Sequence, residues 1–476
     1  MDVSRRFFIG GAASFGALVT SPMFALAGAA AMGGARLKLG VVSDLHFMQE
    51  GDEATFLKAL KYFAAKGVDA VICAGDISDR GLKSELKRCL ATWNQVFPDD
   101  KAADGHKVER LWVYGNHDVW AGDWNKFKED CISWKCEYGK SWEECFHEPY
   151  EHIWFRRVKG IPVMGAHWRQ NGKFTEVPAA VAAHAKDIDP NEPFLYIQHA
   201  HPKNTVFGSW AWGHDAGEST QALSKYPKAV AFSGHSHYTL VDERSVWQGA
   251  FTSINASCLR YAGRDYPLRE NACGDKRFNY VYDEKVRTKR MKCICDQIAK
   301  PPQGQQGMFV ALYDDHLAVE RRDFVHDQPL GDDWVVPLPA GADAPFAFAR
   351  HAAHRSAPEF DKGAKVSVKV TKPKDEKDFT HIDLAFPAAK TVNKCRVNEY
   401  EATAVLVEDD VELIQAQRRM MSPDYFLPET MLAKEATFTF AAEDLPLKGH
   451  YRFEIRPLEC FGKKGEKIVS DVVVIG

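Results

Sequence analysis

The chain has 476 residues, 45% hydrophobic and 12% aromatic, with 61 Lys and Arg against 65 Asp and Glu for a formal net charge of -4. This excludes a disordered or collagen-like chain and leaves room for two to four domains at roughly 100–200 residues each. The near-balanced charge also excludes the global basic field that drives sequence-independent binding to nucleic-acid duplexes, so a polyanionic substrate must be held by local charge or by metal ions.

At the N-terminus, Ser4-Arg5-Arg6-Phe7-Phe8-Ile9 stands directly before a Gly- and Ala-rich apolar run that reaches Ala31 and is interrupted by Pro22. Ala25-Leu26-Ala27 offers a small-x-small cleavage site. The segment, residues 1–31, resembles a twin-arginine export signal. A membrane anchor is the alternative, but few large aliphatics are present and no later stretch approaches a span. The resemblance implies that the twin-arginine export machinery carries the chain already folded and metal-loaded. It also implies a periplasmic or secreted mature protein with no stable membrane span.

Five short apolar runs then end abruptly in polar residues. Leu37 to Ser43 runs into Asp44-Leu45-His46, and Ala70 to Ala74 into Gly75-Asp76. Leu111 to Tyr114 runs into Gly115-Asn116-His117-Asp118, Phe194 to Gln198 into His199-Ala200-His201-Pro202, and Ala229 to Ser233 into Gly234-His235-Ser236-His237. Between the first two, Glu53 to Ala65 carries Phe56, Leu57, Leu60 and Phe63 at helical spacing. Strand, helix, strand indicates an α/β sheet, whose ligand sites form at the carboxyl ends of the strands, where these clusters fall.

Asp carboxylates, neutral imidazoles and one Asn amide oxygen are hard-to-borderline donors suited to Mn, Fe, Zn, Ni or Mg. Two such ions about 3.5–4 Å apart can activate a shared hydroxide and neutralise charge on a phosphoryl group. In Asp-x-His and His-x-His, side chains two apart in an extended segment share a face.

The ordered blocks Asp44-x-His46, Gly75-Asp76, Gly115-Asn116-His117-Asp118, His199 and Gly234-His235-x-His237 resemble the calcineurin-like metallophosphoesterase superfamily, over Leu37 to about Val336. The resemblance implies a four-layer αββα metallo-dependent phosphatase fold and two divalent metal ions. Asp44, His46 and His237 would bind one ion, Asn116, His199 and His235 the other, and Asp76 would bridge them. His117 would approach the leaving-group oxygen as general acid or cationic stabiliser, with a metal-held hydroxide as nucleophile and no phospho-enzyme. His199 is preferred as ligand because it directly follows the apolar run; His201 then faces substrate or packs. Asp79-Arg80-Gly81 matches a form found in protein Ser/Thr phosphatases, where the Asp orients the catalytic histidine and the Arg contacts phosphate. Arg80 is therefore a candidate phosphate contact and Asp118 a further candidate catalytic group, against a plain turn role.

Gly208 to Asp215, with Trp210 and Trp212, reads either as an aromatic wall for a nucleobase or organic leaving group, or as an anchored loop. Leu259 to Gln306 is an Arg- and Lys-rich insertion that includes Arg260-Tyr261 and either lends local positive charge or is a solvated face. The 11 cysteines include Cys73 in an apolar run. Cys131, Cys136 and Cys145, and Cys258, Cys273, Cys293 and Cys295, read as disulfides or thiols rather than a second metal site, since no paired C-x-x-C spacing occurs.

The catalytic domain spans residues 36–336, Pro-rich residues 337–360 read as a linker, and residues 361–476 form a C-terminal antiparallel β-sandwich of alternating strands. Tyr451 to Ser470 resembles the last hairpin of a fibronectin III-like module. The expected function is hydrolysis of a phosphomonoester or phosphodiester in a phosphorylated small molecule or nucleotide-like substrate. The alternative is a non-catalytic binding or structural protein on the same scaffold, with the sandwich carrying the function.

Overall fold

The first strand, β1 (Leu37–Val42), is apolar on both faces because both are covered. Leu39 and Val41 point into one core while Val42 points into another. The helix that follows, α1 (Glu53–Lys66), buries Phe56, Ala59, Leu60 and Phe63 at three- and four-residue spacing and ends on the left-handed Gly67.

The structure is a computed structural model that describes residues 34–119, 127–169, 172–208, 211–262, 304–372, 380–409, 411–422, 425–442 and 445–476. The export leader, Trp210, Cys273, Cys293, Cys295 and most of the 259–306 insertion lie outside the described residues. No helix among the described residues is long and apolar enough to cross a membrane.

After α1 come β2 (Ala70–Cys73), α2 (Lys83–Asn94), β3 (Glu109–Trp112), the single turn α3 (Asn116–Val119) and α4 (Tyr138–Phe146). The second half holds β4 (Ile153–Val158), β5 (Ile161–Ala166), α5 (Val177–Ala183), β6 (Phe194–Ile197), α6 (Glu218–Leu223), β7 (Ala229–Ser233), β8 (Val246–Gln248) and β9 (Thr252–Asn255). The chain then returns through β10 (Gln306–Leu312), β11 (His316–Asp323), β12 (Gln328–Pro329) and β13 (Trp334–Pro337).

One mixed sheet has the order β12-β11-β10-β1-β2-β3, with β13 on β11, and the other β4-β5-β6-β7-β9-β8. The strands carrying the polar blocks pair in parallel, β1 with β2, β2 with β3, and β6 with β7. Their carboxyl ends therefore lie together within each sheet. A core of inward-facing residues such as Val41, Ile72, Leu195 and Phe232 lies between the sheets. Outside it, α1, α2 and α4 cover one sheet and α5 and α6 the other. These are the four αββα layers of a metallophosphoesterase fold.

Beyond α7 (Phe348–His354) two antiparallel sheets enclose a separate core. One has the order β14 (Ser367–Thr371), β15 (His381–Pro387), β18 (Glu435–Ala441). The other contains β17 (Val411–Met421), β16 (Glu399–Glu408), β19 (Gly449–Leu458) and β20 (Ile468–Val469), with β21 (Val473–Ile475) also on β19. The stretch 337–360 is not a loose tether. Phe346 is buried in the inter-sheet core, its carbonyl accepts from Gln248 N at 3.1 Å, and Arg355 pairs with the buried Glu459 at 3.2 Å. Tyr425 and Phe426, from the sandwich, also enter the inter-sheet core. Of the two readings left open for the cysteines, Cys73, Cys89, Cys136, Cys145, Cys258, Cys395 and Cys460 take the thiol form.

Because Phe426 is 1% exposed in the core of the other domain, Phe426→Ala is expected to cost about 3–5 kcal/mol. Calorimetry should resolve the single unfolding endotherm into two, one for each domain.

Candidate metal centre

The candidate ligands sit at strand ends. Asp44 and His46 follow β1, Asp76 follows β2, Asn116 and His117 open α3, His199 follows β6, and His235 and His237 follow β7. Asp44, His46, Asp76, His235 and His237 all have positive φ, between 46° and 70°. Each such residue gives up about 1–2 kcal/mol, so tertiary contacts must hold it. Asp44 N donates to Gly75 O at 2.9 Å, His46 N to Asp76 O at 3.0 Å, and Gly234 N to His199 O at 2.9 Å. These bonds lace adjacent strand ends together. Two glycines let the loops close: a Cβ on Gly115 would fall on the Asp76 carboxylate, and one on Gly234 on the carboxylate of Asp44 and the hydroxyl of Ser43.

The side chains form two groups that share Asp76. Asp44, His46, Asp76 and His237 offer donor atoms within 4.8 Å of one another, and so do Asp76, His199 and His235. Asn116 Oδ1 lies 3.1 Å from His199 Nε2, which is itself 3.1 Å from Asp76 Oδ2. In the first group His46 Nε2 is 3.2 Å from His237 Nε2, and Asp44 Oδ1 is 2.8 Å from His237 Nε2. Yet Asp44 Oδ1, fully buried, makes no aligned hydrogen bond. Close donors that point past one another at shared space are what a cation between them requires. With all N and O atoms of hard-to-borderline character, the set fits two divalent ions.

The other ring nitrogens fix tautomers. His199 Nδ1 donates to Ala74 O at 2.7 Å, which leaves the Nε2 lone pair for the site. His117 Nδ1 donates to Asp79 O at 2.8 Å, and its backbone N–H to Asp76 Oδ1 at 2.8 Å. Asp79 Oδ1 stands 3.0 Å from His46 Nδ1 and 4.0 Å from His117 Nδ1, so its carboxylate supports His46, and it is its carbonyl that orients His117.

Burial disfavours the charged form of His46, but Asp44, Asp79 and Asp76 outweigh it and push the pKa up to about 10. Burial likewise opposes protonation of His199, yet Asp76 and Asp44 raise it to about 9. Burial also opposes ionisation of Asp44 and Asp76, which the imidazoles reverse, holding both below the usual carboxylate range. His235, more affected by burial and by His199, is lowered to about 3. Without metal, protons on His46 and His199 thus balance the two carboxylates.

Three candidates do not reach the cluster. His201 is buried with Nδ1 on Ser233 Oγ at 2.8 Å and Nε2 on Ser236 Oγ at 2.7 Å, a packed histidine with both nitrogens engaged. Asp118, expected as a further catalytic group, instead accepts from Ile77 N, Ser78 N, Ser78 Oγ and Gly115 N, which ties the Asp76 loop to the Asn116 loop. Arg80, expected to contact phosphate, has its guanidinium on Glu85 at 2.7 Å and on Met48 O at 3.0 Å, so it braces the entry to α2.

Other residues enter the site. Tyr261 stacks on His46 with centroids 4.8 Å apart, and Arg260 donates to His46 O and lies 3.4 Å from Asp52. Cys258 Sγ is 3.2 Å from Asp44 O and falls in a group with His46 and His237. Trp168 stands 5.2 Å from His235, centroid to centroid, and Trp212 4.9 Å. In sequence Cys258 stands out only as one of a cysteine group, and nothing local marks Trp168, which the fold brings in from the end of β5.

Residues 37–239, a little under half of the chain, match the profile of the calcineurin-like phosphoesterases. No curated protein matched in sequence. Among solved structures, a dimetal phosphatase from Danio rerio is similar at 11% identity and TM-score 0.39, covering 63% of this chain and 98% of its own. The purple acid phosphatase PPD1 of yellow lupin (Lupinus luteus) seeds is similar at 14% identity and TM-score 0.38, covering 63% of this chain and 53% of its own. The anchor in the inner membrane complex of Plasmodium is similar at 9% identity and TM-score 0.37, covering 67% of this chain and 95% of its own.

Two predictions follow from the geometry. Gly115→Ala is expected to displace the Asp76 carboxylate and abolish binding of both ions, read by elemental analysis of the purified protein. Since His46 and His199 must shed protons to bind metal, uptake at pH 7 is expected to release protons. Affinity then rises with pH until about 10, read by titration calorimetry in buffers of different ionisation enthalpy; a pH-independent affinity would contradict this.

Proposed function

We propose that the protein is a dinuclear-metal phosphoester hydrolase. The observation that carries the reading is that Asp76 belongs to both donor groups, the arrangement a bridging carboxylate needs. Asp44, His46 and His237 hold one ion and Asn116, His199 and His235 the other. When bound, two divalent ions supply Lewis acidity, an acidified water and neutralisation of phosphoryl charge.

The chain's own residues do the rest. Asn116 presents a neutral oxygen beside His199, which keeps the second group less anionic than the first. His117, half-buried and with Nδ1 donating to Asp79 O, is the residue placed to meet the ester's leaving group. Its ring lies 4.7 Å from that of His46, edge to face. Its role is to hand a proton to the departing oxygen or to stabilise the charge that develops there. Asp118 and the backbone bonds between strand ends hold these groups in place before substrate arrives.

The reading is supported further by the retained donor set, since a scaffold serving only as a binding surface has no need to keep seven such residues converged. The twin arginine and the weakly apolar leader support export by the twin-arginine route, with the mature enzyme periplasmic or secreted.

Two variants separate the roles. Asp76→Asn is expected to lose both ions and all turnover. His117→Asn is expected to keep wild-type metal content while turnover of aryl phosphate or bis(aryl) phosphate falls by about 10²–10⁴-fold. Two bound equivalents with no hydrolysis of any ester by the wild type would instead favour the non-catalytic alternative.

A further inference from the structure

The two halves of the site have different borders. Around Asp44, His46 and His237 the space is closed by Tyr261, which stacks on His46, and by Arg260, which caps the His46 carbonyl. Around His199 and His235 the border is indole. Trp168 follows β5; its backbone N–H donates to Tyr114 O at 3.0 Å and its ring rests edge-on against Phe174, centroids 5.7 Å apart. Trp212 lies between β6 and β7 and packs against the inter-sheet core. From these two separate elements the rings reach the same imidazole, His235, at 5.2 and 4.9 Å, and Trp168 also reaches His199 at 5.7 Å.

Trp168, Trp212 and His235 are all half-buried, whereas His199 is fully enclosed. Indoles that only filled the core would be withdrawn from water. These are each fixed at one end by packing and keep surface in solvent beside a donor group. A phosphoester centred on the donors must project its organic portion away from them, and on this side the wall it meets is aromatic. Flat π-systems stack on such walls, while an aliphatic alcohol gains little there.

Resting on the phosphoesterase reading, we propose that Trp168 and Trp212 form a specificity wall for the organic portion of the ester, selecting substrates whose alcohol is an aryl or nucleoside group over aliphatic ones. The shared chemistry is a planar π-face, and aryl and nucleobase sources are told apart by the substrates used.

The test compares metal-loaded wild type with Trp168→Leu and Trp212→Leu on phenyl phosphate, uridine monophosphate and glycerol phosphate, with the methyl diester of each. Comparing variant to wild type on each ester cancels the intrinsic reactivity of aryl esters. Each variant is expected to lose about tenfold more kcat/KM on the aromatic esters than on the glycerol esters, chiefly through KM, with metal content unchanged. A larger loss on phenyl phosphate than on the nucleotide assigns the wall to aryl groups, and the reverse to nucleobases. Trp168→Phe and Trp212→Phe, which keep a π-face, are expected to retain the preference.

Equal losses on both ester classes, no loss on either, or Phe variants that behave like the Leu variants overturn the wall while leaving the hydrolase reading intact. Failure of the wild type to hydrolyse any of the esters overturns the hydrolase reading and the wall together. Quenching of indole fluorescence by phenyl phosphate or adenosine monophosphate, weaker in both Leu variants for at least one of the two, is the expected binding signature; equal quenching of wild type and variants by both ligands overturns the proposal.

Discussion

Two carboxylates, Asp44 and Asp76, are withdrawn from water at adjacent strand ends, at 0% and 1% exposure. Burying like charges side by side is among the most costly things a fold can do, and it persists only where counter-charge is assured. Here the counter-charge comes from His46 and His199, whose protonated forms these carboxylates favour. Much of the surrounding structure exists to hold those two carboxylates apart from water and close to these imidazoles. Ser43 Oγ and the His235 N–H both donate to Asp44 Oδ2, at 2.6 and 3.1 Å, and the His117 N–H donates to Asp76 Oδ1. Each carboxylate is thus anchored by one oxygen and presents the other.

That division explains the backbone. To turn a side chain sharply out of a strand end and into a shared cavity, the chain adopts left-handed geometry at five of the donor residues, a conformation their own side chains disfavour. The cost is met by hydrogen bonds between the turns themselves and by Asp118, which gathers donors from two of the loops. Asp118 is itself raised to about 6 by burial and by the nearby Asp76, so its carboxylate is stabilised by those donors against the same field that shapes the site. The rigidity this produces is what a two-metal site needs, since the ions must find their geometry already formed.

Much of this was legible from sequence because it rests on local periodicity. β1, β2, β6 and β7 are apolar runs broken by a polar block, and α1 repeats every three to four residues, so the fold class and the donor residues could be read directly. What escaped depends on distance in space. Arg80 looks free to meet phosphate until Glu85, one helical turn into α2, is seen to hold it. His199 is favoured over His201 in sequence only by its place directly after the apolar run; in space the hydroxyls of Ser233 and Ser236 lie against His201, and Asn116 and Asp76 against His199. In the sandwich, β17 does not read as a half-buried strand because its exposure does not alternate, with Val411, Leu413 and Ile414 all exposed, whereas in β15 Ile382, Leu384 and Phe386 alternate inward.

The sandwich, which has no donor cluster of its own among the described residues, still bears on the site. Gln306, fully buried at the start of β10, accepts from Leu240 N at 2.8 Å and from Thr239 Oγ1 at 3.0 Å through one oxygen, and its Nε2 donates to Phe426 O at 3.4 Å. Thr239 and Leu240 are two and three residues beyond His237, in the turn that sets that imidazole. The same Gln306 oxygen accepts from Ser257 Oγ at 3.3 Å, next to the cysteine that abuts Asp44. One amide therefore joins the docked sandwich loop to two segments lining the first donor group. Loosening the dock leaves Gln306 with an unmet donor inside the core and loosens its grip on the His237 turn. The turn that Gln306 grips carries His235 as well as His237, so the sandwich braces the strand end that contributes to both donor groups.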